Sequence, residues 1–496
     1  MKRYSLFTIT IVFFISTSFL CLTDNKGSSY ADFSKVSKKI RKAYLNGMTF
    51  IPMGSYTAHV ERGFRATEKD TTLLLQQSNV KRQISLQAFY LNNHEVTNKE
   101  YRAFIRWSKN KMAHEFYIEK DAKYRNANGD YNQDIPIDWN DSLLQKALFK
   151  EDMLGYYHNP TFNHDSLMYT VTINGKPVQI YIYPDTNAWE LGYSYCEPMV
   201  QNYFWHPAYD YYPVVGVSWK QAQAYCQWRT DRLNEEVLIA AKVLDSYSDY
   251  FSVNEFLSDT NNSEYTHMLF PPFRLPTESE WEYAAMGVNY SDRITIYPWN
   301  SSSLIDKNGN YFANFGPILD ANNVRVKEYV SDGGFHTLIT KHFSPNSFGL
   351  YEMGGNVAEW QQDSYASEWT FKKVEGLTDE QMKAREDSLS VIFNTIIIFA
   401  DDDLKTAINK VNRRLGFNEK EIAEMTNKAK KEIEVMAMGE IHDAKIAKAQ
   451  KPARIIKGGS WADSPIYLRI STRTIMNENS TSARVGFRIA MDYSKK

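Results

Sequence analysis

Cysteine is nearly missing: three in 496 residues, at Cys21, Cys196 and Cys226. A disulfide-stapled scaffold is thereby excluded, and packing must hold the fold. Cys196 and Cys226 leave room for one disulfide in an oxidising compartment. Beyond Leu6–Leu20 the chain lacks a long apolar run, and its mean hydropathy of -0.50 argues against a polytopic membrane protein. Charge of one sign is also lacking: 57 Lys and Arg against 59 Asp and Glu give a net charge of -2. That balance removes the electrostatic signature of a nucleic-acid binder. There is no Gly-x-Ser-x-Gly elbow and no phosphate loop.

Aromatic residues are plentiful, with 33 Tyr and 11 Trp. At this level they can build a core with little regular structure, and they suit protein interfaces. The length allows one large domain with insertions, or about two to three domains.

At the start, Lys2-Arg3 precede Leu6–Leu20, which is too short for a stable spanning helix and reads as an export signal over residues 1–21. Ser16 and Ser18 fit ordinary cleavage. Cys21 stands where a bacterial lipoprotein carries its acylated cysteine, although Ser18-Phe19-Leu20 fits that pattern poorly. Residues 22–46 read as a polar tether. Met48–Gly54 predicts a short strand ended by Pro52 and Gly54.

Three helix starts share one chemistry: Thr97 with Glu100, Ser218 with Gln221, and Thr277 with Glu280. Each is a capping box, in which the hydroxyl and the third side chain satisfy one another's backbone N–H. Each follows a strand-like run: Phe89–Leu91, Val214–Val217 and Phe273–Leu275. Cys226 falls on the apolar face of its helix, which favours a buried structural thiol over a reactive one. Long stretches at Lys109–Tyr212 and Met286–Ser344 carry few periodic patterns and read as loops ordered by aromatic packing. Residues 378–451 differ, with apolar helical stripes at Leu404, Ile408, Val411 and Leu415 and at Ile422, Met425, Ala429, Ile433 and Met436. They read as a helical insertion, folded on itself or serving as a docking arm. Gly458-Gly459 marks a turn, and Val485–Ala490 predicts a closing strand.

Asn346–Trp360 concentrates glycines, amides and carboxylates. Gly354-Gly355 predicts a tight turn with positive φ. Such a turn can gather carbonyls with Asn356 and Glu359, a donor set that suits calcium. The alternative is a plain Gly-Gly turn capped by Asn356 with Trp360 in the core. His158/His164 and His336/His342 lack the paired cysteines of a zinc site and read as loop histidines. Asp401–Asp403 reads as a solvated helix start.

Taken in order, Met48–Gly54, Phe89–Phe104, Pro213–Trp228, Arg274–Trp281, Tyr297-Pro298-Trp299, Gly349–Trp360, Gly458–Trp461 and Gly486-Phe487-Arg488 resemble the formylglycine-generating enzyme (sulfatase-modifying factor) family. The resemblance implies an α+β fold related to C-type lectins, low in regular secondary structure. It would span 47–377 and 452–493, interrupted by the insertion.

It also implies structural calcium at two places. One uses Asn356, Glu359 and carbonyls around Gly354, Gly355 and Val357. The other uses Asn314, Phe315, Asp332 and Gly334. In the family, copper is held by two cysteines after the Gly-Gly-Ser-Trp motif. Here the matching positions are Asp463 and about Leu468. A carboxylate and an aliphatic chain cannot replace the soft thiolates that Cu(I) prefers, so no copper and no catalytic residue is expected.

Within the family, Tyr183–Trp189 and Tyr203–Trp219 resemble the GldK/PorK group of gliding and type IX secretion lipoproteins, with GldJ as a competitor. That resemblance implies a periplasmic, self-associating ring at the inner face of the outer membrane, with a GldN/PorN-type partner. Two other readings stay open: an oxidase acting on protein cysteine, and a calcium-dependent lectin-like surface module.

Overall fold

The computed structural model describes residues 40, 45–59, 81–150, 161–190, 196–288, 297–299, 301, 303–319, 325–364 and 452–493. The export signal with Cys21, His158, the Asp401–Asp403 run and the 378–451 insertion lie outside them.

All three predicted capping boxes are formed. They start α1 (Asn98–Lys120), α4 (Trp219–Ala240) and α6 (Glu278–Met286). Short helices α2 (Ser142–Leu148), α3 (Glu197–Asn202) and α5 (Val253–Ser258) fill the intervals. One antiparallel sheet runs in the order β1 (Met48–Ile51), β4 (Phe89–Asn92), β16 (Ala490–Asp492), β9 (Phe273–Arg274). A second runs β14 (Thr474–Asn477), β13 (Ala453–Lys457), β12 (Ala358–Ser364), β15 (Val485–Gly486). Its β12–β15 pair is parallel and its other pairs are antiparallel. Four two-stranded ladders complete the strands: β2 (Gly54–His59) with β3 (Lys81–Leu86), β5 (Phe149–Lys150) with β6 (Thr161–Phe162), β7 (Met168–Ile173) with β8 (Lys176–Tyr181), and β10 (Ile318–Leu319) with β11 (Arg325–Lys327).

The largest core cluster lies between α1, α4 and the sheets. Tyr101 stacks on Tyr225 with centroids 5.6 Å apart, and Phe104 lies 5.2 Å from Trp228. Such ring pairs add to plain area burial. Cys226 is buried in this cluster, and both Cys196 and Cys226 are free thiols, so the two do not pair.

Three local expectations change. Residues 109–120 are not loop, because α1 continues to Lys120. The β7–β8 hairpin also lies inside the stretch read as irregular. Val214–Val217 is buried but is not a strand. Its backbone groups serve different partners in turn: the Val214 N–H donates to Val96, the Gly216 N–H to Ser482, and the Val217 carbonyl accepts from the Trp360 indole. A β ladder needs one partner strand, and this segment has none. Gly216 is required there, since at φ +71° a Cβ would stand 2.3 Å from the Asp185 carbonyl oxygen. Finally, Val485–Ala490 is divided. β15 belongs to one sheet and β16 to the other, while Phe487, Arg488 and Ile489 cross between them fully buried.

Two carboxylates on α4 carry a pH consequence. Asp231 accepts from the Val253 N–H, and Glu235 from the Ser248 N–H and Arg232. Burial raises Asp231 from 3.8 to about 6. It raises Glu235 from 4.5 to about 7, outweighing the opposing pull of Arg232. Both folded values exceed the unfolded ones, so the folded state holds the extra protons. Stability must then fall as pH rises from about 4 through about 7. Asp231→Asn should flatten part of that fall in melting temperature, and an unchanged slope would refute the assignment. Ser218→Ala should lower unfolding free energy by about 1 kcal/mol in urea titrations through loss of its cap.

Candidate functional site

The Gly-Asn turn and the crossing segment meet at a buried charge centre. Gly355 and Asn356 take successive positive φ values of 84° and 60°. A Cβ on Gly355 would stand 2.3 Å from the Asn314 carbonyl oxygen, so this position requires glycine. The turn leads into β12, which carries Glu359 and Trp360, both fully buried.

Glu359 faces Arg488. The guanidinium donates from Nη2 to Oε1 at 2.6 Å and from Nε to Oε2 at 2.7 Å. The Trp281 indole donates to the same Oε2 at 2.8 Å. Nη1 donates to the Asn92 carbonyl, and Nη2 also reaches the carbonyls of Tyr351 and Glu352. A bidentate, fully hydrogen-bonded pair is the arrangement in which a buried ion pair tolerates desolvation.

Two further carboxylates stand near this pair. Glu95 accepts from the Asn356 amide at 2.8 Å and from the Val357 N–H at 3.2 Å. Glu352 accepts from the N–H groups of Lys341 and Phe343. Burial pushes Glu95 well above the usual carboxylate range, and repulsion from Glu352 and Glu359 adds to it. Burial raises Glu352 as well. Burial opposes the Arg488 charge, but attraction to Glu359, Glu95 and Glu352 raises its pKa. Three buried carboxyl groups around one guanidinium cannot all stay ionised easily, and the upward shifts at Glu95 and Glu352 favour their protonated forms.

The expected calcium ligands are placed as follows. Asn356 is turned to Glu95 and Leu338, with its Oδ1 accepting from the Leu338 N–H. Glu359 is turned to Arg488 and Trp281. These two side chains therefore serve different partners, while Gly355 and Val357 bring their backbones close by. At the other place, the Phe315 N–H donates to Asp332 at 2.9 Å, and the Gly334 N–H donates to Asp332 at 3.3 Å. The Asn314 amide donates to the His336 carbonyl. The Lys327 ammonium lies among these groups, 2.8 Å from Asp332 Oδ2 and 2.6 Å from the Phe315 carbonyl oxygen. Among the described residues, no group of three or more His, Cys, Asp or Glu side chains is arranged to hold a metal.

The positions matching the copper cysteines are closed by packing. Asp463 accepts from the Ser460 N–H and hydroxyl at 2.8 and 2.6 Å, tying down the Gly-Gly-Ser-Trp loop. Leu468 is fully buried with Tyr297, Ala313 and Phe315. Trp461 stacks on Trp189 at 6.0 Å and meets His336 edge-on at 4.8 Å. The Cys196 thiol lies 3.7 Å from His336 Nε2. Burial raises the Cys196 pKa and lowers that of His336, so neither charged form is favoured and the thiol is not activated. His164 stacks on Tyr183, and His342 lies against Phe343.

Small sheets, capped helices and aromatic-filled loops fit a domain of the formylglycine-generating-enzyme class. The chain belongs to the sulfatase-modifying factor enzyme 1-like domain family, which it matches over residues 32–493. Its relatives include the formylglycine-generating enzyme of Thermomonospora curvata, 35% identical over 19% of this chain and 29% of that protein. They also include the inactive C-alpha-formylglycine-generating enzyme 2 of Bos taurus, 27% identical over 31% of this chain and 34% of that protein. The matched stretches thus span about a third of these relatives' length. Among solved structures, PvdO from Pseudomonas aeruginosa aligns over 90% of this chain and 94% of its own, at 14% identity and a TM-score of 0.37. Both catalytic and inactive proteins carry the domain.

Sequence reasoning placed Arg488 and Glu95 in motifs without seeing their charge coupling. It passed over Lys327, for which no local signal exists. Removing either half of the central pair should be severe: Glu359→Gln or Arg488→Met should cost about 3–5 kcal/mol by leaving an uncompensated buried group. The double variant Glu359→Gln/Arg488→Met should lose much less than the sum of the two. Additive losses in chemical denaturation would show that the groups do not act as a pair.

Proposed function

We propose that the chain is a non-catalytic structural subunit of a periplasmic ring of the type IX secretion and gliding machinery. The observation that carries the non-catalytic reading is the closed loop after Trp461. A copper oxidase of this family needs two thiolates there, and the chain offers Asp463 bonded to Ser460 and Leu468 in the core. The ring reading rests on the resemblance of Tyr183–Trp189 and Tyr203–Trp219 to the GldK/PorK group. In the fold these two segments pack together, with Trp189 4.8 Å from Tyr203. They leave Trp205 and Tyr211 exposed. Large aromatic side chains of this kind are favoured at assembly contacts.

In this proposal the subunit self-associates, binds a GldN/PorN-type partner and sits at the inner face of the outer membrane, with Cys21 as the anchor. Electron microscopy of the protein purified with that partner should show rings; persistent monomers in every membrane-mimetic condition would overturn the assembly reading. Mass spectrometry of the mature N-terminus should show a lipid on Cys21, and an unmodified terminus would remove the anchor. Incubation with copper and sulfatase-type cysteine peptides should yield no aldehyde, whereas copper-dependent conversion would restore the oxidase reading.

The proposal keeps one structural calcium, at the Gly355–Val357 turn. What supports it is the set of carboxyl oxygens gathered at the turn: Glu95 accepts from the Asn356 amide and the Val357 N–H, and Glu359 lies on the strand that follows. A calcium titration by calorimetry should show binding at this turn together with a rise in melting temperature. Absence of both would exclude the ion.

A further inference from the structure

Lys327 is an oddity for its residue type. Lysine is almost never fully buried unless it is paired, and the Lys327 side chain has no exposed surface. Its ammonium has three oxygen partners: the Phe315 carbonyl at 2.6 Å, Asp332 Oδ2 at 2.8 Å and the Glu328 carbonyl at 3.2 Å. An ammonium has three N–H donors and no acceptor, and here each donor has one acceptor. The Phe315 ring lies 4.4 Å from the ammonium and the Tyr311 ring 5.3 Å, so π faces cover its remaining side.

Phe315 and Asp332 are two of the four residues at which the family resemblance implies a calcium ion. At the other two, the Asn314 amide nitrogen donates to the His336 carbonyl and the Gly334 N–H donates to Asp332, so both are tied into the hydrogen-bonded loop. Calcium requires about six to eight oxygens at about 2.3–2.6 Å. The oxygens that converge here, from Phe315, Asp332 and Glu328, stand at hydrogen-bond distances around a nitrogen that already carries the positive charge. A second cation there would meet the ammonium in a dry interior, where like charges repel strongly.

We propose that Lys327 is a built-in cation that replaces the ion at this position. Its flexible stem runs inward from the end of β11 and delivers the charge that joins the 314–315 segment to the Tyr329–Asp332 helical turn. The loop between Asn314 and Gly334 is thereby held without metal. Any calcium dependence of the fold must then arise elsewhere, so this inference stands apart from the ion proposed at the Gly355–Val357 turn.

Amide hydrogen exchange tests it directly, because the Phe315 and Gly334 N–H groups both bond Asp332. In the unaltered protein, calcium should slow these two amides no more than it slows buried amides elsewhere in the domain, relative to excess chelator. Slowing confined to these two amides would place an ion here and overturn the proposal, with no variant required. In Lys327→Met, of similar length and without charge, both amides should exchange about tenfold faster or more in chelator, since Asp332 loses its counter-ion. Unchanged exchange would also overturn it. If Lys327→Met does not fold, the calcium comparison on the unaltered protein decides alone.

Discussion

Arg488 is fully buried and lies within the field of three carboxylates drawn from distant parts of the chain: Glu95, Glu352 and Glu359. Such a cation is tolerated when its charge is well matched, and here Nε, Nη1 and Nη2 together reach one carboxylate and three carbonyls. The pair explains why the closing segment crosses from one sheet to the other. β15 must lie beside β12 to bring Arg488 to Glu359, and β16 must then turn away to complete the first sheet. The Gly-Asn turn, Trp281 and the start of α1 are arranged around that crossing. The domain is thus organised by a polar centre, with aromatic clusters packed about it.

A second buried cation repeats the logic on a smaller scale. Lys327 and Asp332 fasten a loop region whose strands, among the described residues, are the two short ones of β10–β11. Regular hydrogen-bond ladders are scarce there, so order comes from ring stacks such as Tyr297 on Trp299 at 4.7 Å and from this ammonium. The loop after Trp461 is held in the same manner, by Asp463 on Ser460 and by Trp189 on Trp461. Rings and a carboxylate cap thus make this loop a packed junction.

Much of the scaffold was legible in the residues. The three capping boxes are local, since each bond spans three residues, and all three formed as read. The α+β class, the Gly355 turn, the Gly458-Gly459 turn and the buried Cys226 were equally local or periodic signals.

What the tertiary structure decided concerns partners remote in sequence. An apolar run such as Val214–Val217 reads as a strand until its backbone is seen to serve Val96, Ser482 and Trp360 in turn. Glu359 reads as a calcium ligand by its motif, and only the fold brings Arg488 to it across 129 residues. Lys327 carries no local mark, because a lysine at a strand end normally points to water. Local hydrogen bonds and side-chain chemistry belong to the sequence itself, whereas the pairing of buried charges depends on chain crossings that only the assembled fold makes.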